Sequence, residues 1–217
     1  MAQTSTRLLK LTLPLVPQHG FSRTALAHSV LHLPGPSAHV EPLSDTAVSA
    51  LFGRGDHARR TLIRAWLDCG VENMKNASGA RTTIKEALHA RLVYNEAVLA
   101  HLPEAFALLS VPESQLGVPP LDPLPVLQHA ARIADEACHV SGDESLHLSW
   151  YVKRASLVGI YSAAELHQLT SPQSAHAFLD SLLSASTAVD SSVEDVRQFS
   201  SYIFRSWTGI IKSRGLL

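Results

Sequence analysis

Apolar residues recur at spacings of three and four along nearly the whole chain, and this periodicity restricts the fold more than any other feature. Such spacing is typical of one face of an α-helix, whereas a half-buried strand alternates apolar and polar residues. No stretch of the sequence shows sustained alternation. The strongest stripe, Ile84, Leu88, Leu92 and Leu99, lies within a predicted helix over about residues 82–102. The sequence therefore predicts an all-α protein.

Proline, glycine and helix-capping residues divide this pattern into short and long segments. The predicted helices cover about residues 7–19, 22–31, 45–52, 56–74, 82–102, 105–109, 124–140, 144–169, 172–187 and 192–212. Three short helices thus precede a bundle of longer ones, which is the layout of a helix-turn-helix head on a ligand-binding body. We expect a degenerate helix-turn-helix head over residues 1–55, a helical body over 56–190 and an amphipathic helix over 191–217.

The head lacks the side chains that a DNA-reading helix needs. A recognition helix reads base edges with Arg, Lys, Asn or Gln, and SDTAVSALFG, residues 44–53, contains none of them. The preceding connection, LPGPSAHVEP, is longer than the usual turn of this motif. Lys and Arg total 18 against 19 acids, so no excess positive charge attracts nucleic acid. A TetR-type DNA-binding regulator is the less favoured alternative, and no nucleic-acid partner is expected.

The distribution of charge and cysteine bears on the compartment. No acid precedes Glu41, whereas Arg7 and Lys10 do. An acid-poor, basic start is typical of an organelle-targeting segment, although a mature first helix explains the same residues. Cys69 and Cys138 lie far apart in the sequence and predict buried, reduced thiols in a non-oxidising compartment. The longest apolar runs are too short for a membrane-spanning helix.

Two Glu-x-x-His motifs form the strongest pattern for metal chemistry. The motifs are Glu86-Ala-Leu-His89 and Glu136-Ala-Cys-His139. Ferritin-like di-iron sites use two such motifs with one Glu from each of two further helices, for which Glu104 or Glu165 would serve. Twelve His occur in the chain, so chance pairs are expected. No motif of a serine hydrolase, phosphate loop or zinc protease is present. A metal-dependent, di-iron helical enzyme is kept as the alternative function.

The segment WYVKRASLVGIYSAAEL, residues 150–166, places aromatic and cationic side chains together at the start of a predicted helix. Helical spacing puts Trp150, Arg154 and Leu157 on one face, with Tyr151 beside Arg154. Aromatic residues and Arg are enriched at the hot spots of protein interfaces, but large aromatics also pack in cores. Composition alone fits either an interface or a core helix with a frayed first turn.

The last predicted helix is amphipathic and has basic flanks. Its apolar stripe consists of Val193, Val196, Phe199, Ile203, Trp207, Ile210 and Ile211. Arg197, Arg205, Lys212 and Arg214 surround the stripe, and the acids are confined to the first turn. This pattern is typical of a helix in a membrane interface. A helix docked on the bundle or on a second subunit explains it equally well.

Three segments of the chain carry a family resemblance. They are LPLVPQHGFSRTAL, ALFGRGDHARRTLIRAW and DEACHVSGDESLHLSWYVKRASLVGIYSAAEL, the last of which follows the pattern GDxSxxxxWYxxRAxLxxIYxxxEL. With them the chain resembles, over nearly its whole length, the mitochondrial accessory proteins of coenzyme Q (ubiquinone) biosynthesis. These are the TetR-like, lipid-binding partners of the di-iron demethoxyubiquinone hydroxylase.

The resemblance implies an all-α, TetR-like helical bundle, usually a homodimer, that is not an enzyme and carries no cofactor or metal of its own. It implies that an isoprenoid or phospholipid ligand is bound in the helical body and that the quinone intermediate is presented to the hydroxylase. The location it implies is peripheral, on the matrix side of the mitochondrial inner membrane. It also implies a mature first helix, with any cleavable leader short or absent from this sequence.

The resemblance further assigns roles to residues. It places the hydroxylase-binding patch on Asp135, Trp150, Tyr151 and Arg154, and Ala137 departs from an animal relative that has a larger apolar residue there. It places membrane contact on the final helix, at Phe199, Ile203, Trp207 and Ile210. Candidate lipid-lining residues, which ordinary core packing would also explain, are Leu88, Leu92, Leu99, Phe106, Leu127, Ile133, Leu157, Ile160 and Tyr161.

Overall fold

The computed structural model describes residues 2–35, 39–77, 82–112, 122–143 and 148–188, and the regular structure in these ranges is helical. The α-helices are α1 (Ala2–Thr12), α2 (Val16–His19), α3 (Arg23–His28), α4 (Asp45–Phe52), α5 (Asp56–Ala77), α6 (Ile84–Glu96), α7 (Leu102–Ser110), α8 (Leu124–Val140), α9 (Leu148–Thr170) and α10 (Ala175–Ala188). Short 3-10 turns occur at Leu13–Leu15, Ser29–His32 and Pro172–Ser174. The predicted all-α fold is confirmed over the described ranges and is consistent with a TetR-like bundle.

The chain divides into two compact units, Met1–Cys69 and Gly70–Leu217. The division falls within α5, whereas the sequence predicts the end of the head just before that helix. The predicted amphipathic helix over residues 191–217 lies outside the described residues, and so do its membrane-contact candidates.

In the first unit, hydroxyl caps begin the helices where the sequence predicts them. Ser22 Oγ accepts from the backbone N–H of Ala25, and Ser44 Oγ accepts from that of Ala47. The side chain of Arg23 on α3 is hydrogen-bonded to α4. Its Nε donates to Asp45 Oδ1 over 2.8 Å, and its Nη2 donates to Ser49 Oγ over 2.7 Å. Two of the polar side chains of α4 are therefore engaged within the head itself.

In the second unit, α6, α8, α9 and α10 pack around one apolar cluster. Contacts between α8 and α9 run from His129 with Glu165 at one end to Asp135 with Arg154 further along, so these two helices are antiparallel. We call the buried set the core cluster, and it consists of Val71, Met74, Ala87, Leu88, Leu92, Ala130, Ile133, Ala134, Ala137, Cys138, Leu157, Ile160, Tyr161, Ala164 and Leu179.

One long predicted helix is shorter in the structure. The helix expected over residues 82–102 begins at Ile84 with a Thr83–Glu86 capping box, as its propensity suggests, but ends at Glu96. A turn follows, in which the N–H of His101 bonds the carbonyl of Val98 over 2.8 Å. Pro103 lies in the first turn of the next helix, α7, where its missing N–H costs no helical hydrogen bond.

Both cysteines are free thiols, as predicted. Cys138 is buried in the core cluster, and burial raises the pKa of its thiol. Cys69 is partly exposed, so the prediction that it is buried was wrong. Within the described part of the chain, no helix combines the length and apolar character that crossing a bilayer requires.

Candidate functional site

Four residues that were expected to bind a partner lie together on the surface of the second unit. Arg154 Nε donates to Asp135 Oδ1 over 2.8 Å, which joins α9 to α8. The guanidinium carbon of Arg154 lies 4.0 Å from the centre of the Trp150 ring. The rings of Trp150 and Tyr151 meet edge to face, with centroids 4.7 Å apart. We call Asp135, Trp150, Tyr151 and Arg154 the aromatic–arginine patch.

The aromatic rings of this patch are open to solvent. Trp150 is 36% exposed and Tyr151 is 68% exposed. Burying a large aromatic side chain releases more water than burying almost any other residue, so exposed Trp and Tyr side by side mark an interaction surface. Of the two readings that composition left open, the exposure favours an interface over a core helix.

Asp143 fixes the start of α9 against the end of α8. Gly142, at φ 67°, turns the chain after α8, and the N–H of Asp143 then bonds the carbonyl of Cys138 over 3.0 Å. Its carboxylate accepts from Lys153 Nζ over 2.7 Å and lies 3.7 Å from Arg154 Nη1. These contacts hold Arg154 in place before any partner arrives.

Ala137 lies away from the patch surface. It is fully buried in the core cluster. The departure at this position therefore changes the volume of the interior, and the expectation that it alters the edge of a partner-binding surface is not supported by its position.

Most of the candidate lipid-lining residues converge on the interior of the second unit. Six of them belong to the core cluster: Leu88, Leu92, Ile133, Leu157, Ile160 and Tyr161. Phe106 is also buried, on α7, with its ring centroid 6.4 Å from that of His129. Leu99 is partly exposed in the turn after α6. Leu127 is 37% exposed because its neighbour Val126 takes the inward position on α8.

A buried polar network adjoins the core cluster, and sequence reasoning missed it. The network consists of Arg91 and Asn95 on α6, His129 on α8, and Tyr161, Glu165 and Gln168 on α9. Arg91 Nη1 donates to Asn95 Oδ1, and Arg91 Nη2 lies 3.2 Å from His129 Nε2. A charged guanidinium with no exposed surface is costly unless its neighbours compensate it.

The compensating carboxylate is that of Glu165. Its Oε1 accepts from Asn95 Nδ2 over 2.9 Å and from the Tyr161 hydroxyl over 2.8 Å. Gln168 closes the network by donating to the backbone carbonyl of Leu92 over 2.8 Å, which ties α9 to α6. Asn95 thus bridges the buried cation and the buried anion.

Burial shapes the ionisation of this network. Burial is the largest influence on the His129 imidazole and lowers its pKa, so the ring is neutral near neutral pH. Burial alone would raise the pKa of Glu165, but contacts with His129, Arg91 and Asn95 lower it overall. Burial also raises the pKa of the Tyr161 hydroxyl well above its ordinary value. The network therefore holds one cation and one anion.

A sequence signal for the network exists in retrospect. Arg91 and Asn95 are four residues apart, and so are Tyr161 and Glu165, and each pair lies beside an apolar stripe. The sequence analysis considered Glu165 as a possible metal ligand and not as a member of a buried network.

The two Glu-x-x-His motifs are used for other contacts. Glu86 accepts from the N–H and the hydroxyl of Thr83, each over 2.8 Å, and these bonds lower its pKa. His89 Nε2 lies 2.7 Å from Asp180 Oδ1 on α10. Glu136 Oε2 lies 3.8 Å from Lys75 Nζ, and His139 is exposed. Across the described ranges, no group of three or more His, Cys, Asp or Glu could hold a metal ion.

Comparison with known proteins supports the family resemblance. The COQ9 family model matches residues 125–199, which include the whole aromatic–arginine patch as well as His129 and Glu165. The chain is 28% identical to the mitochondrial ubiquinone biosynthesis protein COQ9 of Bos taurus over 170 residues, covering 76% of this chain and 50% of the relative. It is 27% identical to the Schizosaccharomyces pombe coq9 protein over 137 residues, covering 61% and 52%.

A third relative covers more of the sequence. The mitochondrial ubiquinone biosynthesis protein COQ9-A of Xenopus laevis is 25% identical over 204 residues, which are 89% of this chain and 61% of the relative. The chain therefore spans between 50% and 61% of the length of these relatives. The resemblance predicted from the sequence is confirmed.

Proposed function

We propose that this chain, as a protein similar to the COQ9 family, is a non-enzymatic accessory protein of ubiquinone biosynthesis. It binds an isoprenoid lipid in its helical body and presents the quinone intermediate to the demethoxyubiquinone hydroxylase. Its relatives are named mitochondrial ubiquinone biosynthesis proteins, which supports a place in that pathway. The observation that carries the proposal is the exposed aromatic–arginine patch within the segment that matches the family model.

The patch has the physical properties of a docking surface. Its two exposed rings offer a large apolar area, and an aromatic side chain loses little conformational freedom when it is fixed. The Arg154 side chain is already held by Asp135 and the Trp150 ring, so binding would not have to order it. A partner that covers Trp150 would therefore gain the release of water from the exposed part of the ring without having to order Arg154.

The core cluster supports the lipid-binding step. Isoprenoid tails gain about 0.8 kcal/mol for each CH₂ that moves from water into an apolar interior. The gain is much smaller for a lipid that already lies in a bilayer, so extraction needs contact with the membrane surface. We assign that contact to Phe199, Ile203, Trp207 and Ile210, which lie outside the described residues. A homodimer attached to the matrix side of the inner membrane completes the proposal.

The direct test measures docking and lipid content on the same preparations. We expect the Trp150→Ala variant to bind purified hydroxylase at least about tenfold more weakly than the unchanged protein, as for an interface hot spot. Val93→Ala removes an exposed apolar side chain from α6 and should bind normally. Native mass spectrometry of each preparation should reveal a bound isoprenoid lipid. Undiminished binding by Trp150→Ala would contradict the docking surface, and lipid-free protein would contradict lipid binding.

A further inference from the structure

His129 carries a buried hydrogen-bond donor that has no acceptor among the described residues. Its Nε2 lies 3.2 Å from Arg91 Nη2. Nε2 also lies 3.8 Å from Glu165 Oε1. Since a guanidinium can only donate, the shorter contact is a hydrogen bond in the tautomer whose Nε2 accepts, and the proton of the neutral ring is then on Nδ1. Nδ1 makes no hydrogen bond within the described ranges, although His129 is only 4% exposed.

A second unused donor belongs to the residue bonded to His129. Arg91 is fully buried, and its Nε makes no hydrogen bond within the described part of the chain. The other guanidinium nitrogens are occupied by Asn95 and His129. Buried donors are nearly always satisfied in folded proteins, by protein, water or ligand. Two buried donors thus lack acceptors, and they belong to side chains that are hydrogen-bonded to each other. Their acceptor oxygens must come from outside the described residues.

Along α8 and α9, the network lies at one end of the core cluster. On α8, Ile133 follows His129 by one turn and lies in the core cluster. On α9, Leu157 and Tyr161 precede Glu165 on the same stripe. Because α8 is antiparallel to α9, the polar residues of both helices lie at the same end of the bundle. A molecule with a polar head and an apolar tail has the same distribution along its length.

We propose that the buried polar network is the head-group site for a ligand whose uncharged head carries acceptor oxygens, as the carbonyls of a quinone ring do. The head accepts hydrogen bonds from His129 Nδ1 and Arg91 Nε, and the tail lies along the core cluster. This inference rests on the proposed lipid binding. Arg91 and Glu165 already balance each other, so a charged head such as a phosphate would be left uncompensated beside the carboxylate.

Binding to the purified full chain tests this site with two ligands, a short-tailed ubiquinone and a ring-free isoprenoid hydrocarbon. We expect the His129→Leu variant to lose about tenfold in affinity for the quinone, as for one buried hydrogen bond, with the affinity for the hydrocarbon unchanged. His129→Gln keeps an acceptor for Arg91 and a free N–H donor, and should recover most of the quinone affinity. Equal losses for both ligands, or no loss for either, would overturn the head-group site.

A spectroscopic readout on the unchanged protein covers the case in which His129→Leu does not fold. In protein labelled with ¹⁵N-histidine, the Nδ1–H resonance of His129 should shift when the quinone is added and stay in place with the hydrocarbon. The head-group site is contradicted if this resonance does not respond to bound quinone, or if it shifts with phospholipid vesicles instead. The proposed lipid binding would still stand in either case. If neither the quinone nor the hydrocarbon binds at all, the proposed function itself fails.

Discussion

The guanidinium of Arg154 lies over the ring of Trp150, with its central carbon 4.0 Å from the ring centre, while its Nε is bonded to Asp135. The arginine therefore supports an exposed aromatic side chain without filling a core position. Exposed ion pairs and cation–π contacts each contribute about 1 kcal/mol or less to folding. The arrangement is better explained by recognition than by stability.

Replacing this arginine should separate binding from folding. We expect Arg154→Ala to lower the free energy of unfolding by about 1–2 kcal/mol, because several weak contacts are lost together, but to weaken hydroxylase binding at least about tenfold. Urea denaturation and a binding titration check the two effects. Lys85→Ala, which removes a different partly exposed ion pair, that between Lys85 on α6 and Asp180 on α10, is the control. Equal effects of the two substitutions on binding would count against a specific patch.

The buried ion network should be costly to break from one side. Glu165→Gln keeps the shape of the side chain but leaves the Arg91 guanidinium uncompensated in the interior. Breaking one side of a buried charge pair typically costs about 3–5 kcal/mol. Urea denaturation should show a loss of this size, and the double variant Arg91→Met with Glu165→Gln should recover part of it. A loss below about 1 kcal/mol would mean that the network is hydrated.

The lowered pKa of His129 predicts a stability that falls in mild acid. The unfolded imidazole takes up a proton as the pH drops through about 6.5, whereas the buried ring of the folded protein resists protonation to lower pH. In that window the unfolded state binds more protons, so stability decreases by up to about 1.4 kcal/mol per pH unit. Unfolding curves between pH 7 and 5 measure the slope. The His129→Gln variant should lose the share of this pH dependence that comes from His129. An identical slope in the variant would show that His129 is not its source.

Replacing Gly70, in the interior of α5, with alanine should destabilise the protein even though alanine has the higher helix propensity. Gly70→Ala would place a Cβ 3.0 Å from Nε and Cζ of Arg91 and 3.1 Å from Cε1 of Tyr94. Arg91 is held by Asn95 and His129 and cannot easily move away. We expect Gly70→Ala to destabilise the protein by about 1–2 kcal/mol, although alanine is the better helix former by about 1 kcal/mol. Thermal unfolding measures the effect. In an Arg91→Met background the same change should cost less, because only the contact with Tyr94 remains tight.

Local rules were sufficient for much of the fold. Ser22 and Ser44 begin their helices as predicted, because a hydroxyl that can accept a backbone N–H is visible in the sequence. The break after Glu96 was not predicted, because the apolar stripe continues through it to Leu99. Asp135, Trp150 and Arg154, to which the family resemblance assigned a common role, are neighbours in the structure.

The buried polar network has only an indirect local signal, which is the four-residue spacing within its pairs. Arg91 and Glu165 are 74 positions apart in the chain, and each sits beside an apolar stripe where a charged residue usually marks the solvent-facing side. Only the packing of α6 against α8 and α9 brings their charges together. Ala137 is a similar case, since its small side chain gives no sign in the sequence of the face that it occupies.

The continuous helix α9 has a consequence for the spacing of its side chains. Arg154 and Glu165 are eleven residues apart, so at about 1.5 Å and 100° per residue they lie about 17 Å apart along the axis and within about 20° of the same direction around it. Arg154 of the patch and Glu165 of the network are thus in phase on one helix. Inserting a single residue between Arg154 and Glu165 would rotate one side chain relative to the other by about 100° around the helix axis, whatever residue is inserted. The number of residues in this segment is therefore a structural constraint separate from their identity.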